Sequence, residues 1–215
     1  MNTGPIDRAS AEDVAAHASS ATINDVVLTA ATSALHTLLL SRGDPIDNFV
    51  VSVPVSARKE ANVTELGNQV GVIALRLPAT GDPFERLGTI SETTQAAKRT
   101  PLAASAALVG SLFRTLGRLG IFRWFINRQR LVHTFTTNLR GPKTHLYFLD
   151  APIIDVVPIA ILAGNVTVSF AVLSYCGTLD ITVIADPDTC SELDALAEAL
   201  QRDLDHLTSW APDQC

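Results

Sequence analysis

Charged residues and cysteines are scarce in this sequence. Charged residues make up 18% of the 215 residues and hydrophobic residues 47%, which is typical of globular proteins and excludes a disordered chain. The net charge of −6 gives no indication of a nucleic-acid partner. The spacing of the three cysteines fits neither a zinc knuckle nor a CxxC redox pair, so we expect reduced thiols rather than a disulfide framework. These cysteines are Cys176, Cys190 and Cys215.

The signatures of several self-contained active sites are also missing. The sequence has no GxSxG serine-hydrolase elbow, no GxxxxGK[ST] phosphate loop and no GxGxxG dinucleotide loop. Its histidines are far apart, and only His206 has a close carboxylate, Asp205, on a helix face that we expect to be solvated. The histidines are His17, His36, His133, His145 and His206. The residues alone therefore predict no metal site, no resident cofactor and no catalytic residue in this chain.

Targeting signals are not evident either. The first 20 residues have neither the basic start nor the apolar core of a signal peptide. No apolar run reaches the roughly 18 uninterrupted residues that a transmembrane helix needs. We interpret residues 1–20 as a linker and residues 21–210 as one domain of a cytoplasmic protein.

Hydrophobic periodicity predicts four helical stretches. The first begins at the cap residue Thr22, has Asp25 three residues later in a capping-box arrangement, and ends near Gly43. The second begins at Asp82-Pro83 and runs to about Lys98. The other two are a basic and aromatic stretch over 101–130 and an amphipathic helix over 191–207 with an acidic outer face.

Runs of β-branched and aromatic residues predict strands between these helices. We expect them over 49–55, 70–77, 134–138, 145–149, 153–159, 166–175 and 179–185. Pro54 inside the first strand favours an edge position or a bulge. The last two strands are joined at Cys176-Gly177-Thr178, which predicts a β-hairpin. The chain is thus expected to be α/β, with a mixed sheet and helices on one face.

Five short segments, in order along the chain, together resemble one protein family. They are Thr22-Ile23-Asn24-Asp25-Val26-Val27-Leu28, Pro54-Val55-Ser56-Ala57-Arg58, Leu66-Gly67-Asn68-Gln69-Val70-Gly71, Thr137-Asn138-Leu139-Arg140-Gly141-Pro142 and Ser174-Tyr175-Cys176-Gly177. Over residues 22–207 the sequence resembles the C-terminal domain of the bacterial wax ester synthase/diacylglycerol acyltransferase family. The resemblance implies a two-layer sandwich of a mixed β-sheet with helices. This sandwich is half of a CoA-dependent acyltransferase fold, like that of chloramphenicol acetyltransferase.

The resemblance also implies a function that this chain does not complete by itself. In the family, an HHxxxDG motif in the N-terminal half supplies a histidine as general base, and the enzyme transfers an acyl group from acyl-CoA to diacylglycerol or a fatty alcohol. The products are triacylglycerol or wax esters. This sequence has no HHxxxDG and no adjacent histidines. It is therefore expected to be a C-terminal half that needs an N-terminal half in cis or in trans. A non-catalytic lipid- or partner-binding module and an unrelated single-domain enzyme are the alternatives.

Three groups of residues are candidates for the substrate tunnel or the interface between the halves. Asn24 and Asp25 either lie near the tunnel or only cap a helix. Asn138, Arg140 and Gly141 either line the acyl-CoA path, with Arg140 meeting a phosphate, or form a structural turn. The third group, Ser174 and Tyr175, either hydrogen-bonds in the tunnel or serves the hairpin.

A stretch over residues 110–130 contains five arginines and no acidic residue, with aromatic residues between them. A basic segment with exposed aromatic rings is typical of contact with an anionic membrane surface. We therefore expect peripheral contact with the inner face of the plasma membrane. The alternative is a helix that buries its aromatic rings in the core or against a partner, with the arginines on its outer face. The membrane-surface candidates are Arg114, Arg118, Arg123 and Trp124.

Overall fold

The computed structural model describes residues 6–7, 21–56, 70–99 and 115–209. In chain order the helices and strands are β1 Ile6–Asp7, α1 Ile23–Ser41, β2 Asn48–Ser56, β3 Val70–Pro78, α2 Pro83–Arg99, α3 Phe122–Ile126, β4 Thr134–Arg140, β5 Tyr147–Phe148, β6 Ala151–Pro152, β7 Val168–Tyr175, β8 Thr178–Ala185 and α4 Leu193–Thr208. This alternation confirms the predicted α/β class. Strand β1 lies within the stretch that the sequence led us to expect as a linker.

One mixed sheet organises the domain. Its strands lie in the order β1-β8-β7-β4-β2-β3, while β5 and β6 form a separate small hairpin. Strands β2, β4 and β7 run parallel to one another, and the remaining neighbours are antiparallel. Alternate residues of the main strands enter the core on the face of the sheet that the helices cover.

The helices α1, α2 and α4 bury their apolar sides on that face of the sheet. The amphipathic helix predicted over 191–207 corresponds to α4, and its apolar stripe is buried at Leu196, Leu200, Leu204 and Leu207. Each fully buried leucine contributes about 1.5–3 kcal/mol of burial free energy, so this stripe secures the last helix to the core. The two-layer sandwich expected from the family resemblance is therefore confirmed.

Helix α1 is the central helix of this layer. Its length and hydropathy would also suit a membrane span, but 61% of that window is buried inside the domain. Residues Val26, Val27 and Leu28 are fully buried against the other elements. The helix ends where predicted, because Gly43 follows it with φ +81°, a conformation that glycine adopts without strain.

The predicted hairpin between β7 and β8 is confirmed. Tyr175 pairs with Thr178, which leaves Cys176 and Gly177 as a two-residue loop. Both have positive φ, +48° and +92°, as the tight turn of type I′ requires.

The edge or bulge predicted from Pro54 is wrong. Strand β2 lies inside the sheet, and Pro54 pairs in regular register with Val72 of β3. On its other side β2 pairs with β4 only at Val51 and Ser52. The proline is tolerated because the β4 pairing has ended before the chain reaches it.

Three other predicted elements differ from the structure. The strand expected over 145–149 shrinks to Tyr147–Phe148, and the strand expected over 153–159 is absent from the described chain. The basic stretch is not one continuous helix over 115–130. It is broken after residue 118 by a turn at Gly120, which has φ +71°, before α3 begins. The rest of that stretch, 101–114, lies outside the described residues.

Candidate functional site

Two of the candidate groups meet at one end of the sheet. Strands β4 and β7 run parallel, and Arg140 pairs with Ser174 in register. The amide of Gly141 donates a hydrogen bond of 2.8 Å to the carbonyl oxygen of Ser174. A Cβ atom on Gly141 would overlap that same oxygen. Gly141 therefore permits a close approach of two chain segments, which supports the structural interpretation of this turn.

Tyr175 lies beside them and holds the segment that follows. Its ring is only 2% exposed. Its hydroxyl donates to the carbonyl of Ile153 at 2.7 Å and accepts from the amide of Leu146 at 2.9 Å. The ring of His145 contacts the tyrosine edge-on, with centroids 6.0 Å apart. Tyr175 thus joins the end of β7 to both ends of the small hairpin.

The chain that leaves this anchor is unusually apolar for a surface. We call residues 146–161 the apolar arm. Eight of its large hydrophobic side chains are 47–87% exposed. They are Leu146, Tyr147, Phe148, Leu149, Ile154, Val157, Ile159 and Ile161. Contiguous exposed side chains of this kind mark an interaction surface.

The backbone of the apolar arm carries two further features of such a surface. The hairpin turn places Leu149 and Asp150 at positive φ, +48° and +64°, which is strained for a side chain as large as leucine. Within the described chain, residues 154–162 form no backbone hydrogen bond with another backbone group. Apart from Pro158, which has no N–H, these residues have backbone groups that the rest of the described chain leaves for a neighbouring strand.

Asp25 has a clear structural task. Its carboxylate accepts hydrogen bonds from the amide and the hydroxyl of Thr22, at 2.7 and 2.8 Å, which confirms the cap of α1. The other carboxylate oxygen accepts from the hydroxyl of Thr94 in α2, at 2.8 Å. The fully buried side chain thus pins the start of α1 to α2. Its neighbour Asn24 is half-buried.

The start of α1 nevertheless lies at the same end of the domain as the β4 and β7 candidates. Leu38 near the end of α1 lines one cavity with Phe49, His133 and Val168, which lie at or just before the starts of β2, β4 and β7. Those strands are parallel, so the opposite end of α1 lies towards their carboxyl ends. Asn24, Asn138 and Ser174 therefore share one end of the fold, although no hydrogen bond joins them.

That cavity was not predicted from the sequence. It has a volume of about 330 Å³. Its lining comes from five separate segments, so no local sequence motif could predict it. His133 on its wall accepts a 2.9 Å hydrogen bond at Nδ1 from the amide of Val50, and burial together with the nearby Arg76 lowers the pKa of His133. At its mouth Arg42 forms a two-point ion pair with Glu192, and these hydrogen bonds hold the pKa of Glu192 at about 2.

The remaining candidates lie on an exposed surface. Arg118, Arg123 and Trp124 are exposed to solvent, and Arg114 lies outside the described residues. The guanidinium of Arg128 lies 5.5 Å from the centre of the Trp124 ring, a cation–π contact. The aromatic side chain is thus not buried in the core.

Three of the histidines in the described part of the chain form hydrogen bonds with backbone groups. His36 and His145 each direct Nδ1 to a backbone carbonyl, and His133 accepts from a backbone amide. Among the described residues there is no cluster of three potential metal ligands.

Comparisons with known proteins agree with this geometry. The sequence is 29% identical over 199 residues to a probable diacylglycerol O-acyltransferase of Mycobacterium tuberculosis (strain ATCC 25618 / H37Rv), covering 84% of this chain and 40% of that protein. The fold is similar to the wax ester synthase/diacylglycerol acyltransferase from Marinobacter aquaeolei VT8, with a TM-score of 0.72 at 19% identity. That match covers 95% of this chain and 47% of the other. The PapA2 acyl transferase is similar with a TM-score of 0.62 at 12% identity, over 98% of this chain and 44% of that one.

The chain thus spans about two fifths of the curated relatives that it matches. The model of the WS/DGAT C-terminal domain family matches residues 66–208, which is more than half of the sequence. On that match, the chain belongs to the WS/DGAT C-terminal domain family.

Proposed function

We propose that this chain is the C-terminal half of an acyl-CoA-dependent O-acyltransferase that makes triacylglycerol or wax esters. In this proposal it works only together with an N-terminal half that bears HHxxxDG. The observation that carries the proposal is the apolar arm, an interface-like surface on a chain that spans only 40% of its relatives. An exposed apolar surface of this size is stabilised when a partner covers it.

The size of the arm supports a protein partner. Eight large apolar side chains, at roughly 100 Å² each, approach the roughly 800 Å² that one partner contributes to a standard protein interface. Ile154, Ile159 and Ile161 lie in the unpaired stretch, where β-branched residues favour strand pairing. The arm can therefore add as a strand to the edge of a sheet in the N-terminal half.

The proposed reaction divides the chemistry between the two halves. The histidine of the N-terminal half takes the proton from the acceptor hydroxyl while that oxygen attacks the thioester carbonyl of acyl-CoA. The new bond is the ester C–O bond, the C–S bond breaks, and the proton reaches the departing CoA thiolate. This chain contributes the opposite wall of the tunnel at the end of β4 and β7, where Asn138 and Arg140 lie. No resident cofactor is needed, since acyl-CoA is a co-substrate.

A reconstitution assay tests this proposal. The chain is incubated with palmitoyl-CoA and either dipalmitoylglycerol or hexadecanol, with and without the N-terminal half of a family member, and release of the CoA thiol is followed. We expect thiol release above the hydrolytic background only when both halves are present. A matched control carries an N-terminal half in which the second histidine of HHxxxDG is replaced by alanine.

The second candidate function is a non-catalytic module that binds lipid or a partner acyltransferase. The exposed apolar arm is also compatible with this function, which becomes the better explanation if no N-terminal half restores turnover. Association without thiol release would support this module. Turnover by the chain alone would contradict both functions, because both assign the catalytic histidine to an N-terminal half or require no catalysis.

A further inference from the structure

We propose that residues 115–131 form a surface that binds anionic lipid membranes, which we call the basic surface. This inference does not depend on the proposed acyl transfer. It rests on how charge and exposed apolar side chains are distributed in this one segment. The membrane expected in a cell is the inner face of the plasma membrane, whose lipids are anionic.

Basic and acidic residues are strongly segregated along the chain. Residues 93–149 contain no Asp or Glu, yet they hold nine of the 16 Lys and Arg residues of a chain with a net charge of −6. Four of these cations project from the basic surface as exposed side chains. They are Arg118, Arg123, Arg128 and Arg130. An acidic protein therefore presents one strongly cationic region.

Large apolar side chains are exposed between these arginines. Leu119, Ile121, Trp124 and Leu131 are 43–66% exposed. Tryptophan favours the boundary between lipid headgroups and acyl chains, where its ring is buried and its N–H stays near water. The contact of Arg128 with the Trp124 ring keeps a cation next to that indole.

The basic surface is held in a fixed position by the domain. The side-chain amide of Gln129 donates to Oδ1 of Asn165 at 2.9 Å, and Nδ2 of Asn165 donates to the carbonyl of Gln129 at 2.7 Å. The amide of Asn165 donates to the carbonyl of Ile126 at 3.3 Å. Gly164, at φ +64°, lets the backbone approach that carbonyl where a Cβ atom would overlap it. The surface is thus preformed, and little ordering is required on binding.

The contrast with the apolar arm identifies lipid as the partner. The apolar arm has no Lys or Arg and includes Asp150 and Asp155, so its exposed apolar side chains suit a protein interface. The basic surface alternates arginine with apolar residues, which matches anionic headgroups above a layer of acyl chains. Each arginine near an anionic leaflet strengthens binding by about fivefold.

Vesicle cosedimentation tests the inference with two variants of equal charge change. The wild-type chain is expected to bind phosphatidylcholine vesicles that contain phosphatidylglycerol, and to lose that binding in vesicles of phosphatidylcholine alone. The double variant R118Q/R123Q should bind the anionic vesicles about 25-fold more weakly. The control R76Q/R202Q removes two exposed arginines elsewhere on the domain and should stay within about twofold of wild type.

A second pair of variants tests the apolar contribution. Trp124→Ala should weaken binding about tenfold, whereas Leu40→Ala, at another exposed apolar position, should leave it unchanged. Equal losses in R118Q/R123Q and R76Q/R202Q would overturn the inference, since binding would then follow net charge alone. It would also be overturned if the reconstituted two-half protein no longer bound vesicles, because the N-terminal half would then cover this surface. Circular dichroism of each variant distinguishes a lost contact from a lost fold.

Discussion

The hydroxyl of Tyr175 donates a 2.7 Å hydrogen bond to the carbonyl of Ile153, at the point where the apolar arm leaves its hairpin. The same oxygen accepts from the amide of Leu146, where the arm begins. One buried side chain at the end of β7 therefore sets the direction of an exposed segment. This relationship links the core of the fold to the surface that we assign to a partner.

Replacing Tyr175 with phenylalanine should loosen the start of the apolar arm. The change removes the hydrogen bonds of the hydroxyl to the Leu146 amide and the Ile153 carbonyl, at about 1 kcal/mol for each, and leaves that carbonyl only its 3.2 Å contact with Nδ1 of His145. We expect lower stability in urea and faster hydrogen exchange at the Leu146 amide. Tyr147→Phe alters an exposed ring and should change the free energy of unfolding by less than about 0.5 kcal/mol. Unchanged exchange in Tyr175→Phe would show that the hydroxyl does not hold the arm.

Gly141→Ala should destabilise the joint between β4 and β7. The added methyl group would overlap the carbonyl oxygen of Ser174, and overpacking of this kind costs about 1–3 kcal/mol. Gly88→Ala is the matched control, because a Cβ atom there meets nothing within 4 Å and alanine favours the helix. Thermal unfolding of both variants should show opposite shifts. Equal melting temperatures would mean that the close approach is not required.

Asp25→Ala should cost about 2 kcal/mol of stability. It removes the acceptor for the Thr22 cap and for the hydroxyl of Thr94, which is then buried without that partner. Asp44→Ala, at an exposed carboxylate, should be nearly neutral. In the reconstituted enzyme, an Asp25→Ala protein that is folded at low temperature should keep most of its activity. A loss of turnover without a loss of stability would instead support a place for Asp25 in the tunnel.

Asp180 should make the fold less stable as the pH rises. Burial and the nearby Asp155 raise the pKa of Asp180 in the folded chain above its ordinary value of 3.8. The folded state therefore binds this proton more tightly than the unfolded state, and stability falls as the pH rises from that ordinary value through the raised pKa. Asp180→Asn should stabilise the chain at pH 7, and the gain should vanish once the pH falls below the ordinary value of 3.8.

Denaturant titrations across this range measure the effect. Asp188→Asn removes an exposed carboxylate close to the end of the same strand and should show no such pH dependence. If both variants follow the same pH profile, the burial of Asp180 is not the cause of the effect.

Local sequence patterns predicted most of the core. The capping pair Thr22 and Asp25, the leucine stripe of α4 and the turn at Cys176-Gly177 each depend on residues only a few positions apart. Such short-range patterns can be recognised in the sequence without any knowledge of the fold. The mixed sheet followed from the alternation of these elements.

The errors arose where structure depends on distant partners. The run over 153–159 is rich in β-branched residues, yet it forms no strand, because a strand requires a neighbour and the described chain provides none. Pro54 indicated an edge, but the shortness of the β4 pairing made an inner position tolerable. The cavity beside His133 is lined by five segments that only the tertiary fold brings together.

The affinity between this chain and an HHxxxDG-bearing N-terminal half tests the central claim most directly. We expect a saturable complex in an isothermal titration. The double variant I159D/I161D should weaken it by about 100-fold, because two charges would be buried at the contact. Leu40→Asp, at an exposed leucine outside the apolar arm, should bind like the wild-type chain. A complex that forms with equal affinity in I159D/I161D would contradict the assignment of the apolar arm as the surface that joins the two halves.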